Sequence, residues 1–391
     1  MARIAMLLTT TAWDDRRQFY RQGPALVEGR HHVLYVAGRP DREIEHPFEY
    51  VALSDRQRRW ARPTGALNLL PLMLRLRPDV VQLCSLEQLP LGIMLAVTGL
   101  CRVVYDCRED MASAMFQHRD HFPVFVRHVL RFVTRTVEAL GSLTLDGIVT
   151  ADPSVKALHA RMPEPRKHVF FNTALLKQFP ADFAPLDDRE YELAVLGSMT
   201  PRSGIITVIE ALGILKAHGL APKVLLIGEP DRWIQSAMND RARKGDVEDQ
   251  LTITGWLPHN RIASTLARAR IGLVPLLDLP KFRRNIACKA FEYMACGMPT
   301  ICTDLPPQHL FLHSGIALYY EPGRAEQLAD RISTLVRDPE RCRKMGTAAR
   351  QEVETRWNGE LDQSRLRAFY DDLLAKPRRL SLANWRESSS G

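Results

Sequence analysis

The chain has 391 residues, 46% hydrophobic and 25% charged, with a formal net charge of +8. That is too long for one ordinary core and points to two α/β domains of a soluble globular protein. The positive balance favours anionic partners such as nucleotides, phospholipids or nucleic acid and selects none of them. Seven scattered cysteines form no C-x-x-C pair, which argues against a disulfide framework or a zinc site and for small core hydrophobes in a reducing cytosol. No apolar run reaches bilayer length, residues 89–100 coming nearest, and residues 1–8 lack the long apolar segment of a signal peptide.

In chain order, residues 4–8 read as a first strand, 9–15 as a polar loop, 16–28 as a helix and 31–37 as a second strand. This βαβ start lacks G-x-G-x-x-G, so a dinucleotide fingerprint is absent. The stretch 55–77 carries Arg56, Arg58, Arg59, Arg62, Arg75 and Arg77 against the single acid Asp55, with Trp60 and a leucine cluster between. Residues 79–84 and 103–106 are further strands. The loop after the second of them holds Arg108, Glu109 and Asp110, where open α/β sheets bind ligands. Arg127, Arg131 and Arg135 then recur every four residues beside Phe125, Val129 and Phe132. Both basic segments suit an anionic lipid surface; the commoner meaning of such a helix is one solvated face and one core face. Nucleic acid is not expected, because no recognition motif occurs and the aromatics are not interleaved as stacking platforms. Strands at 147–151 and 169–171 close this half, and a looser stretch to 190 reads as a linker.

The second half opens with a strand at 192–196, the loop Gly197-Ser198-Met-Thr-Pro-Arg202-Ser203-Gly204 and a helix over 205–218. A glycine-bounded loop before a helix lets backbone N–H groups approach a diphosphate. Strands follow at 223–227 and 251–255, the latter leading into Trp256-Leu257-Pro258. A helix is expected over 262–269 and a strand over 271–275. Lys281, Arg283 and Arg284 form a basic cluster. Residues 287–296 are good helix formers stopped by Gly297 and Pro299, and 300–303 is a short buried strand. Glu292 falls in the first turns of that helix. A strand at 316–320 and helices over 325–337, 340–354 and 357–374 complete the fold, and 376–391 reads as a disordered tail.

Lys289, Phe291, Glu292, Tyr293, Met294, Ala295, Gly297 and Pro299 form K-x-F-E-Y-M-A-x-G-x-P. This resembles the nucleotide-sugar signature of the retaining GT-B glycosyltransferases of family 4. Asp15, Arg17 and Phe19 resemble the D-x-R-x-F of one branch, and equally a helix N-terminus with an acid at its positive end. The resemblance implies an α/β GT-B fold, two Rossmann-like domains facing a central cleft. Residues 1–175 would bind the acceptor and 176–190 form the linker. Residues 191–355 would bind the donor, and a helix over 356–375 would return to the first domain.

In the same resemblance Glu292 holds the nucleotide ribose. Gly197, Ser198, Arg202, Ser203, Gly204, Arg283 and Lys289 meet the diphosphate. Trp256 and Leu257 back the base through their backbone, with the Trp256 indole read as half-buried packing. Arg108 and Arg284 join Glu292 as catalytic residues, and Asp15, Arg17, Glu87, Glu109 and Asp110 stand on the acceptor side. The implied activity is retaining transfer from a nucleotide-diphosphate sugar to a polysaccharide or lipid-linked acceptor. It needs no metal and no cofactor beyond the donor, and it places the protein in the cytoplasm at the inner face of the membrane. Gln82, Cys84, Ser85, Arg108, Ser198, Ser203 and Arg284 depart from residues common in the family. Those departures keep open a second reading, a catalytically degenerate relative that binds nucleotide-sugar or acts as a scaffold.

Overall fold

The computed structural model describes residues 1–43, 45–55, 66–114 and 123–378. Arg56, Arg58, Arg59, Trp60 and Arg62 of the first basic segment, and the serine-rich end from 379, lie outside the described residues. The chain divides into two compact units, residues 1–172 with 362–391 and residues 173–361.

The first unit is a parallel sheet of β1 (Arg3–Leu7), β2 (His32–Gly38), β3 (Glu49–Leu53), β4 (Val80–Leu83), β5 (Arg102–Cys107), β6 (Gly147–Thr150) and β7 (Lys167–Val169). Its order is β3-β2-β1-β4-β5-β6-β7, so the topology reverses between β1 and β4. Both faces are covered, which is why the strands are continuously apolar. Ile4 and Met6 enter one core while Ala5 and Leu7 enter the other. The first core also takes Leu366, Phe369, Tyr370 and Leu373 from the last helix, Gly359–Ala375. The second core receives Met73, Leu89, Leu95 and Val155. β3, at the sheet edge and only partly covered, was not expected from the sequence.

The helix expected over 16–28 forms in two pieces, a π-type turn at Gln18–Gln22 and α1 at Gly23–Glu28. Pro24 has no N–H for the regular ladder, and its ring presses on the preceding turn. The widened turn, with the Gly23 N–H donating to the Gln18 carbonyl, accommodates both effects. The remaining helices of this unit are α2 (Leu70–Leu76), α3 (Leu89–Thr98), α4 (Met111–Ala114), α5 (Val124–Thr144) and α6 (Pro153–Leu158).

The second unit is built on one large core and a parallel sheet. Its elements run β8 (Tyr191–Leu196), α7 (Ile205–Ala217), β9 (Val224–Ile227), α8 (Arg232–Gly245), β10 (Leu251–Ile253), α9 (His259–Leu266), β11 (Ala269–Val274), α10 (Lys289–Ala295), β12 (Thr300–Thr303), β13 (Ala317–Tyr320), α11 (Ala325–Val336) and α12 (Pro339–Thr355). The strand order β10-β9-β8-β11-β12-β13 reverses between β8 and β11. Each unit is thus a parallel α/β sheet whose order reverses once, the Rossmann-like arrangement expected from the sequence.

Candidate functional site

In open α/β sheets the carboxyl ends of strands at a reversal leave a crevice for a ligand. In the second unit those ends belong to β8 and β11, and α10 holds them apart. The Leu196 N–H donates to the Tyr293 hydroxyl at 2.8 Å, and that hydroxyl donates to the Leu273 carbonyl at 3.0 Å. The Tyr293 ring lies against Gly272 of β11, where an added Cβ would sit 2.2 Å from it. Only glycine fits beneath the ring. Phe291 turns to the other side and stacks on Phe311 at 4.4 Å between centroids. The aromatic residues of the K-x-F-E-Y stretch are therefore buried wedges that set the pose of α10.

The loop from Gly197 to Gly204 leaves β8 at the same place. Gly204 has φ +74, and a Cβ there would lie 1.6 Å from the Pro275 carbonyl oxygen that follows β11. This contact seats the loop on the end of β11 and starts α7, a helix of 13 residues whose free N–H groups face the crevice end. Ser203 is buried and engaged locally. Its hydroxyl donates to the Thr200 carbonyl at 2.8 Å and accepts from the Thr200 N–H at 3.2 Å. The expectation that it meets the diphosphate is replaced by a turn-forming role. Ser198 is exposed and Arg202 half-buried.

Lys289 and Glu292 sit on one face of the first turn of α10. The Lys289 ammonium lies 3.5 Å from where a Gly197 Cβ would be. Among the described residues it has no hydrogen-bond or ion-pair partner. Burial pushes its pKa down to about 8, with the Glu292 charge opposing that fall. A desolvated cation beside a glycine loop and a helix N-terminus is arranged for an anion. The Glu292 side chain is buried three residues on, in that same turn.

Arg283 is placed differently from expectation. It is exposed and forms a two-point pair with Asp278, at 2.5 and 2.6 Å, so its charge is already matched on the surface. Arg284 and Lys281 are half-buried nearby. The Trp256 indole is 63% exposed, not half-buried packing, whereas Leu257 leans on the core. The exposed ring follows Gly255, whose φ is +70, at the end of β10.

At the corresponding end of the first unit the charges close on themselves. Arg17 is buried against Asp106 at 2.7 Å, and it also donates to the Phe170 carbonyl at 2.7 Å and the Thr150 carbonyl at 3.2 Å. Asp15 accepts from the Arg17 N–H at 2.9 Å and from Arg108 at 2.7 Å. Gln18 links the two pairs, donating to Asp106 at 2.5 Å and accepting from Arg108. Asp15 thus caps a helix start, and Arg17 is a structural cation rather than an acceptor contact. Asp110 is also occupied, accepting from the Ser113 hydroxyl at 2.7 Å and from Arg135 at 2.9 Å. Glu109 is half-buried. Glu87 accepts from the Thr9 hydroxyl at 3.0 Å and has no cation partner among the described residues, right at the β1/β4 reversal.

Gln82 is buried, bonded to Gln22 at 2.6 Å and to the Tyr370 hydroxyl at 2.6 Å, and so serves the core. Residues far apart in sequence also meet here. Cys107, Glu138 and His159 bring potential ligand atoms within 4.8 Å of one another, wholly buried. Burial pushes the Glu138 carboxyl up to about 7 and the His159 imidazole down to about 4.

Residues 180–352 match the protein family described as Glycosyl transferases group 1. The amylovoran biosynthesis glycosyltransferase AmsK of Erwinia amylovora is 26% identical over 177 residues, covering 45% of this chain and 43% of that protein. The alpha-maltose-1-phosphate synthase of Mycolicibacterium smegmatis is 27% identical over 176 residues, covering 41% and 42%. The chain thus spans less than half the length of these relatives. Among solved structures, sucrose-phosphate synthase from Thermosynechococcus elongatus superposes with a TM-score of 0.74 at 17% identity, covering 96% of this chain and 100% of that one. Anabaena HepE in complex with UDP-glucose gives 0.70 at 13% identity, covering 95% and 100%.

Proposed function

We propose that this GT-B chain, whose second unit carries the match to glycosyl transferases group 1, is a glycosyltransferase that takes its sugar from a nucleotide-diphosphate donor. The observation that carries this reading is the half-buried, unpartnered Lys289 ammonium at the β8/β11 reversal, on the same helical turn as Glu292. Lys289, Arg202 and the N–H groups at the start of α7 meet the two phosphates. Glu292 accepts hydrogen bonds from the ribose hydroxyls, and the exposed Trp256 and the backbone around it cover the base. Negative charge grows on the leaving diphosphate during transfer, so fixed cations and dipoles there act where they lower the barrier most. In the retaining route the acceptor hydroxyl attacks from the face the phosphate leaves, and the phosphate oxygen takes its proton. Lys289 and the helix dipole supply the positive charge that a metal provides in other enzymes, which supports the metal-independent reading. Glu87, at the reversal of the first unit, is the carboxylate left over for a polysaccharide or lipid-linked acceptor. The cytoplasm, where nucleotide-sugars are made, is the matching location.

Ligand-observed NMR against UDP-, GDP- and ADP-sugars, with the wild type beside Glu292→Ala, tests the reading. One donor should bind the wild type and be lost in the variant, with free nucleotide released slowly in the same tube. Binding without any turnover would favour the scaffold reading. Binding of no donor would remove the site.

A further inference from the structure

Helix α5 is inside out. Its buried residues are Thr134, Glu138, Gly141 and Ser142, small or polar side chains. Its exposed face carries Phe125, Val129, Phe132, Leu140 and Leu143, at offsets of 4, 7, 15 and 18 residues that fall on one stripe. Phe125 is 76% and Phe132 72% exposed. The sequence left two readings of this segment open, a basic amphipathic surface suited to anionic lipid and a helix with one solvated and one core face; the structure turns the apolar stripe outward. Exposed single apolar residues are ordinary, but a continuous stripe along a 21-residue helix is not.

The surroundings indicate what covers the stripe. Arg127, His128, Arg131 and Arg135 lie on the same helix, and its one carboxylate, Glu138, is buried. Of these, Arg135 is paired with Asp110 and Arg131 is exposed. α2 and α3 pack into the same core beneath the same sheet face. They expose Leu74, Val97 and, beside them, Leu67 and Leu100, together with Arg75 and Arg77. Apolar side chains set among arginines, with no exposed acid on the helix, complement an anionic bilayer surface: rings enter the headgroup boundary and guanidinium groups meet lipid phosphates.

We propose that the outer face of α5 docks on an anionic membrane surface, inserting Phe125 and Phe132 at the interface between headgroups and acyl chains. This goes beyond the transferase reading and does not depend on it, because it uses no residue of the second unit.

The test is co-sedimentation of the full chain with phosphatidylcholine vesicles, alone or with one-quarter phosphatidylglycerol, at low and high salt. The wild type should bind the anionic vesicles and release as salt rises. Phe125→Asp with Phe132→Asp should weaken partitioning by about a hundredfold. Arg127→Gln with Arg131→Gln should weaken it by roughly tenfold or more. Unchanged thermal unfolding and nucleotide binding would show that the variants are folded. The proposal is overturned if the wild type ignores anionic vesicles, or if the aspartate pair leaves binding unchanged. It is equally overturned if ultracentrifugation finds a dimer that the aspartate pair disperses while vesicles stay unbound.

Discussion

The two units share one design, a parallel sheet whose order reverses once, yet the ends of their strands have been used in opposite ways. In the first unit Arg17, Asp106, Arg108, Asp15 and Gln18 bond to one another, although the buried Arg108 Nε has no hydrogen-bond partner. In the second, burial lowers the Lys289 pKa to about 8 against the opposing charge of Glu292, and no hydrogen bond or ion pair holds its ammonium among the described residues. A closed network fixes loop positions and offers little to a ligand. An open cation destabilises the empty site and waits for an anion. Charge alone therefore says little about a binding role; whether the charge is already matched says more.

The largest expected effect breaks the closed network. Asp106→Ala leaves the Arg17 guanidinium buried without its counter-ion, which should destabilise the protein by about 3–5 kcal/mol. Chemical unfolding would measure it. Arg17→Met with Asp106→Leu should recover most of that loss, since both members of the buried pair are removed together. If the single variant unfolds like the wild type, the network is not holding the loops.

Lys289→Met probes the open side, and it should behave in the opposite way. Nucleotide-diphosphate affinity should fall by about a hundredfold, the scale of losing a charged hydrogen-bonded contact. Stability at pH 7 should not fall. The folded pKa near 8 lies below the unfolded value of 10.5, so burying this lysine costs nothing above pH 10.5 and costs most once pH has fallen through 8. Removing it at pH 7 removes that cost. The same pKa makes the ammonium disappear above about pH 8. Calorimetric titrations should then show wild-type affinity declining from that pH upward, and a flat profile in the variant.

Tyr293→Phe tests the wedge that keeps the open site open. It deletes the hydroxyl between the Leu196 N–H and the Leu273 carbonyl and leaves both without that partner in the interior. About 2 kcal/mol of stability should go, with a weaker effect on nucleotide affinity than Lys289→Met.

The division between open and closed charge explains what the sequence revealed. Parallel strands buried on both faces carry unbroken apolar runs, so both sheets and the α10–Gly297–β12 unit were legible from residue order alone. β3 was not, although the other edge strands β7, β10 and β13 were. The charged candidates read least well. Arg17 and Lys289 look alike as cations near a loop, and only folding shows that Asp106, 89 positions away, has claimed the first. Likewise α5 shows its amphipathic period in sequence, but which face is the core depends on small residues, Gly141 fitting against Leu89 of α3 and Ser142 against His159. Trp256 carried no signal of its exposure, since a lone tryptophan after a glycine is compatible with either environment.

Arg283 gives the smallest expected effect and the finest check on the same distinction. By sequence it belonged with Lys289, a cation beside the donor loop. In the structure Asp278 meets it at two points, both partners exposed. A matched surface arginine should contribute little, so Arg283→Ala should change nucleotide affinity by less than about threefold. Asp278→Asn gives the complementary measurement. If the aspartate restrains the arginine, freeing it should strengthen binding modestly and make affinity more sensitive to salt. A large loss in Arg283→Ala would mean that the pair opens when the donor arrives. Matched charge would then be a resting state that a ligand can undo, and the closed network around Arg17 would need the same test.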